Sequence, residues 1–206
     1  MNELQSKLVD MLQYFHNLCV ENQIRYYIVE GSFLGAVRHK GFIPWDDDID
    51  LGVPREDYDR LISIMKNRGQ GRYVLESPSE NKDFVYSFSK LYDTQTTLIP
   101  ISRYHIQRGI YLDIFPLDGV GDTKEEALRH NRKITTLDNY ICTKICAIEP
   151  RRKFYKNAAI VVGRCIPEFL FGWRQAQKRP RHCAVQNLLT AASMSAMSTA
   201  PGGKKK

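Results

Sequence analysis

Long hydrophobic runs are missing from this 206-residue chain. The most apolar stretch, residues 158–171, is short and is broken by Arg164, Pro167 and Glu168. A helical bilayer span needs about 20 apolar residues, so no transmembrane helix is read. Cysteine is scarce: Cys19, Cys142, Cys146, Cys165 and Cys183 are odd in number and scattered, unlike a secreted disulfide framework. No secretory leader is read at residues 1–10, so reduced thiols in a cytoplasmic setting are expected, with the inner face of the membrane as the place of any surface contact. Cys142 and Cys146 stand one helical turn apart with only His130 near them, and they read as a packed helix face rather than a metal pair. Acids and aromatics are missing from residue 175 onward, which reads as a basic disordered tail. Internal repeats are absent.

The charge is uneven. Residues 151–206 hold twelve Lys/Arg against the single acid Glu168, a net +11; the 18 Lys/Arg and 22 Asp/Glu of residues 1–150 leave −4. The basic excess therefore belongs to the C-terminal quarter alone. No specific nucleic-acid partner is expected, only electrostatic or peripheral membrane contact through that basic region.

Leu4, Leu8, Met11, Leu12, Phe15, Leu18 and Cys19 repeat with helical period, so residues 2–20 read as an amphipathic helix. A strand is expected over 26–29, a helix from 33 to 38, and a loop at Gly41 and Pro44. Residues 48–53 alternate strictly: Ile49, Leu51 and Val53 on one face, Asp48, Asp50 and Gly52 on the other. Pro54 opens a helix whose apolar face is Tyr58, Leu61, Ile62 and Met65. Strands follow over 73–76, 84–92 and 109–115, then helices over 124–147 and 152–165. The fold class is α+β: a small mixed sheet with flanking helices on one side, plus a helical C-terminal part. The body is expected to span 1–174 and the tail 175–206.

Four of the five residues 46–50 are carboxylates. Crowding like charges onto a half-buried strand is costly unless a cation neutralises them. Asp48 and Asp50, at i and i+2, project from one face and suit a hard cation such as Mg²⁺. Asp113, on the polar face of another strand, completes the group. The plainer alternative is an acidic turn in solvent. Gly31-Ser32, between a strand and a helix, offers a glycine for close approach and free N–H groups for a phosphate, or is a simple cap. Arg38 pairs with a phosphate or with Asp46 or Asp47. His39 reads as a surface residue. Trp45 reads as a wall of the pocket, with stacking on a base or quaternary ammonium as the other role.

These residues resemble the LicD family, the phosphocholine transferases that include fukutin and fukutin-related protein, and more distantly the nucleotidyltransferase fold of the polymerase-β type. Three stretches carry the resemblance: residues 31–50, residues 90–97 (Lys-Leu-Tyr-Asp-Thr-Gln-Thr-Thr) and residues 109–118 (Gly-Ile-Tyr-Leu-Asp-Ile-Phe-Pro-Leu-Asp). With the leading helix it covers about residues 1–170. It implies a nucleotidyltransferase-like sheet and a metal-dependent enzyme that takes phosphocholine from CDP-choline, or another phosphoalcohol from its CDP donor. The acceptor implied is a glycan hydroxyl in cell-surface polysaccharide, lipopolysaccharide or teichoic acid. It also implies that Asp48 and Asp50 hold Mg²⁺ or Mn²⁺, and that Asp113 is a third ligand or the base for the acceptor hydroxyl. Gly31 and Ser32 would hold donor phosphate, and Asp46 would support the metal or ligate it. Family members continue with a tyrosine- and aspartate-rich segment, so the domain is expected to be truncated on its C-terminal side. The alternatives are a nucleotidyltransferase using a nucleoside triphosphate, and a catalytically impaired relative that binds through its basic tail.

Overall fold

The computed structural model describes residues 1–69, 71–81, 84, 86–99, 108–119 and 123–166. The boundary expected at 174/175, the basic tail and Cys183 lie outside these residues.

Helix α1 (Glu3–Glu21) starts where Asn2 and Gln5 cap each other reciprocally, which satisfies two backbone N–H groups the helix cannot. Its stripe of Leu8, Met11, Phe15, Leu18 and Cys19 is buried. Strand β1 (Tyr27–Ile28) is two residues long and leads into helix α2 (Glu30–His39). Strand β2 (Asp50–Pro54) passes directly into helix α3 (Arg55–Arg68), with Pro54 as its N-cap and Glu56 and Asp57 in the first turn, where acids offset the helix dipole. Strands β3 (Tyr73–Glu76), β4 (Ser89–Asp93) and β5 (Tyr111–Leu117) follow, then helices α4 (Lys124–Ile145) and α5 (Phe154–Cys165).

The five strands form one mixed sheet in the order β1-β2-β5-β4-β3. Only β2 and β5 run parallel; the other pairs are antiparallel. A parallel pair needs a long crossover. Here α3, β3 and β4 supply it, so two distant segments become neighbours. Leu51, Val53, Leu91, Leu112 and Ile114 line one sheet face and are buried with residues of α1 and α3. Each such side chain contributes about 1.5–3 kcal/mol by leaving water. The α+β class, a mixed sheet flanked by helices, agrees with the sequence pattern.

Several boundaries differ from the sequence-based expectation. Helix α2 begins at Glu30, so Gly31 and Ser32 lie inside its first turn rather than ahead of it. Strand β2 begins at Asp50, which leaves Asp48 in the approach to the strand. The strand expected over 84–92 is only Ser89–Asp93; Tyr86 and Phe88 precede it. Among the described residues, ring contacts of Phe84 with Tyr86, Tyr86 with Phe88 and Phe88 with Phe115 account for the strand-like composition there. The Cys142 and Cys146 pair is not a buried helix face: Cys142 is exposed and Cys146 half-buried.

Helices α4 and α5 pack on each other. A Cβ placed on Gly163 would lie 2.6 Å from Thr143 Cγ2, so the glycine permits the close crossing. Lys144 Nζ donates to the carbonyls of Arg164 (2.9 Å) and Ile166 (3.0 Å), and Arg164 Nη2 donates to Cys146 O (2.6 Å). These bonds satisfy carbonyls that the helix ends leave open.

A carboxylate cluster at the parallel strand pair

The parallel register sets Asp50 of β2 opposite Asp113 of β5, and the antiparallel register sets Asp113 opposite Lys90 of β4. Because side chains alternate along a strand, all three leave the sheet on the face opposite the apolar core. Backbone bonds fix this alignment: Asp113 N–H donates to Ile49 O at 3.0 Å and Val29 N–H donates to Asp50 O at 3.0 Å. Asp48, two residues before Asp50, reaches the same place. One carboxylate oxygen from each of Asp48, Asp50 and Asp113 lies within 4.8 Å of the other two.

Helix α2 closes one side of the cluster. Ser32 Oγ accepts the N–H of Asp50 at 2.9 Å, so the serine pins the strand start. A Cβ on Gly31 would sit 3.4 Å from Asp46 Oδ2 and 4.0 Å from Asp50 Oδ2, so the bare glycine borders the carboxylates. Glu30 opens the helix with a left-handed φ of 50°, unusual for a non-glycine residue and a mark of a backbone held by its surroundings. The acidic loop is seated by Gly35, where a Cβ would meet Gly41 O at 2.6 Å, and by buried Gln5, whose Nε2 donates to Asp46 O at 3.0 Å. Asp46 Oδ2 is buried with no hydrogen-bond partner, although Asp46, Asp47 and Asp48 also cluster within 4.8 Å.

The electrostatics follow from burial and crowding. The Asp50 carboxyl is pushed up to about 7 by burial first, then by Asp48, Asp113, Glu30 and Asp46. Burial pushes Asp113 up to about 6 although the Lys90 ammonium pulls it down. Burial also raises Asp48, with Asp46 and Asp47 adding to it. Oxygen-only donors, crowded and incompletely neutralised, with one orphaned carboxylate oxygen beside them, suit a hard divalent cation. Asp48, Asp50 and Asp113 would hold it, with Asp46 next to them.

The residue that sequence reasoning missed is Lys90. It is 3% exposed and its Nζ pairs with Asp113 Oδ1. Aromatic rings surround the ammonium: Tyr111 at 3.5 Å, Tyr86 at 4.5 Å and Phe88 at 5.1 Å from ring centroid to nitrogen. Burial lowers its pKa while Asp113, Asp48 and Asp50 hold it up. Its signal was the lysine at the head of Lys-Leu-Tyr-Asp, a segment otherwise reading as buried strand.

Two expected site residues are exposed. Trp45 is 82% exposed rather than packed as a buried wall, which leaves stacking as its expected role. Arg38 is exposed in the last turn of α2, about 10 Å along the helix from Gly31. His39 is exposed, as expected. Behind α2, a cavity of about 730 Å³ is bounded by Val9, Leu12, Ala36, Phe42 and Ile49 and meets the cluster's back at Ser32.

The family model described as "LicD/FKTN/FKRP, nucleotidyltransferase domain" matches residues 23–149. The lipopolysaccharide cholinephosphotransferase LicD of Haemophilus influenzae is 33% identical over 121 residues, 58% of this chain and 45% of that protein. The human ribitol 5-phosphate transferase FKRP is 29% identical over 126 residues, 57% of this chain and 22% of that protein. An uncharacterised Rickettsia typhi protein is 48% identical over 78 residues, 38% of this chain and 24% of that one. The chain thus spans less than half the length of these relatives.

Proposed function

The chain belongs to the LicD/FKTN/FKRP nucleotidyltransferase-domain family, and from that premise we propose that it transfers a phosphoalcohol, phosphocholine from CDP-choline, onto a glycan hydroxyl. The observation that carries this reading is the convergence of Asp48, Asp50 and Asp113 beside the uncovered backbone of Gly31. In such a transfer the acceptor oxygen bonds to the phosphorus that carries the alcohol. The bond from that phosphorus to the CMP oxygen breaks, CMP leaves with the electron pair, and the acceptor proton passes to a base. A cell-surface glycan such as lipopolysaccharide or teichoic acid is the acceptor class, as the LicD relative's name suggests for the first.

Phosphoryl transfer asks a protein for position and charge neutralisation more than for a nucleophile. Asp48 and Asp50 bind Mg²⁺ or Mn²⁺, which neutralises the donor phosphates when bound. Gly31 lets a donor phosphate approach the first turn of α2, and Ser32 keeps the Asp50 backbone in register with it. One oxygen of Asp113 stays with Lys90. Its other oxygen serves as third ligand or takes the acceptor proton. Lys90 keeps Asp113 in place and draws its carboxyl toward the anionic form against the effect of burial.

The test is to incubate the protein with an acceptor glycan and CDP-choline, CDP-ribitol or CDP-glycerol, with and without Mg²⁺, and to follow CMP. Mg²⁺-dependent CMP release coupled to labelled glycan supports the reading. Pyrophosphate release from a nucleoside triphosphate, with none of the CDP donors consumed, refutes it.

A further inference from the structure

The outward face of α5 is apolar. Over Phe154–Cys165, at about 100° per residue, buried Ile160 and Gly163 turn toward α4. The opposite arc carries Phe154, Tyr155, Val161, Val162 and Cys165, all exposed. Phe154 is 83% and Val162 64% exposed. A helix on a protein surface ordinarily turns charge to water. Its Arg164 turns inward, onto the carbonyls of Thr143 and Cys146, while Lys156 stays exposed, and the helix presents hydrocarbon outward on a braced helix pair.

Along the α5 segment itself the charge has one sign. Residues 150–166 contain Arg151, Arg152, Lys153, Lys156 and Arg164 and no Asp or Glu. Arg151, Lys153 and Lys156 are exposed and flank Phe154 and Tyr155 at the helix start. A second copy packed on this face about a two-fold axis would bring two such cationic borders together, which like-charge repulsion opposes. An anionic lipid surface meets both features: acyl chains and headgroup boundary for Phe154, Tyr155, Val161 and Val162, and lipid phosphates for the bordering cations. We infer that α5 lies in the plane of an anionic membrane surface, with its Phe154–Val162 face in the lipid. This inference does not depend on the proposed chemistry.

The experiment is flotation of the full chain with vesicles of pure phosphatidylcholine and with vesicles in which about one lipid in three is phosphatidylglycerol. The double variant Phe154→Asp, Val162→Asp and the milder Phe154→Ser, Val162→Ser are run beside it, each checked for an unchanged thermal melt. The wild type is expected to float with the anionic vesicles only. The aspartate variant should bind them roughly tenfold or more weakly, because two inserted side chains are lost. Replacing Arg151, Lys153 and Lys156 by Gln should flatten the salt dependence. Three results would overturn the inference. The wild type could fail to float with anionic vesicles, as it would if other parts of the chain cover this face. The aspartate and serine variants could bind as tightly as the wild type, leaving only a diffuse charge effect. Or the wild type could sediment as a dimer that the aspartate variant converts to monomer, which would give the face to a second copy.

Discussion

Asp50 has the most strained chemistry among the described carboxylates. Its folded-state carboxyl sits near 7, above the ordinary value of 3.8, so the folded protein binds a proton there that the unfolded chain releases. The sign is therefore that of a raised acid: its contribution to stability is full below about pH 4 and is lost as pH rises through about 7. Asp113, raised to about 6, acts in the same direction. Melting curves of chelator-treated protein should show wild-type Tm falling between pH 5 and pH 8. Asp50→Asn should flatten that fall and melt higher than wild type at pH 8, while abolishing transfer; an Asp50→Asn melt that tracks wild type across the range would refute the crowding. Lys90 carries a second prediction. Lys90→Ala leaves Asp113 buried without its ammonium and should cost about 3 kcal/mol in a urea titration; a loss under 1 kcal/mol would show that the pair is not structural. For Asp113→Asn, kcat should fall about 10²–10⁴-fold. If Asp113 is also a ligand, Mg²⁺ affinity falls with kcat; if it is the base alone, affinity holds. The aspartates were legible because four carboxylates in five residues are costly without a purpose. Lys90 was not, because its burial depends on which strand lies beside β5, and no local pattern states that.

At the scale of elements, α2 shows where propensity and structure part. Glycine and serine ordinarily punctuate a chain, so Gly31-Ser32 read as a turn. In the fold, Glu30 takes the left-handed conformation and the helix starts one residue earlier. The consequence is useful: Gly31 becomes the point where a backbone without a side chain borders the carboxylates. Gly31→Ala places its Cβ at 3.4 Å from Asp46 Oδ2, an ordinary contact, so Tm should stay within a few degrees. The same methyl fills the approach to the cluster, so donor KM should rise with kcat little changed; steady-state kinetics against CDP-choline checks this, and an unchanged KM would remove Gly31 from donor binding. Helix periods and the Asp50–Val53 alternation were readable because each element buries one face. The exposure of Trp45 was not readable, because adjacency in sequence says nothing about which way a loop residue turns.

For the whole molecule, the decisive feature is the sheet order β1-β2-β5-β4-β3. It makes neighbours of Asp50 and Asp113, 63 positions apart, and brings Lys90 in from the other side. A mixed sheet was legible from the succession of helices and strands, but its order was not, since several orders bury the same apolar residues. The central claim is that the carboxylates held at this strand junction form a divalent-cation site. Calorimetric titration of Mg²⁺ into the protein at pH 6.5, in two buffers of different ionisation heat, tests it most directly. Carboxyls raised to about 6 and about 7 must give up protons when a cation binds. The account predicts saturable binding by the wild type with net proton release, and loss of both binding and release in Asp48→Asn and Asp50→Asn. Absence of saturable binding, or equal binding by the wild type and both variants, would contradict it.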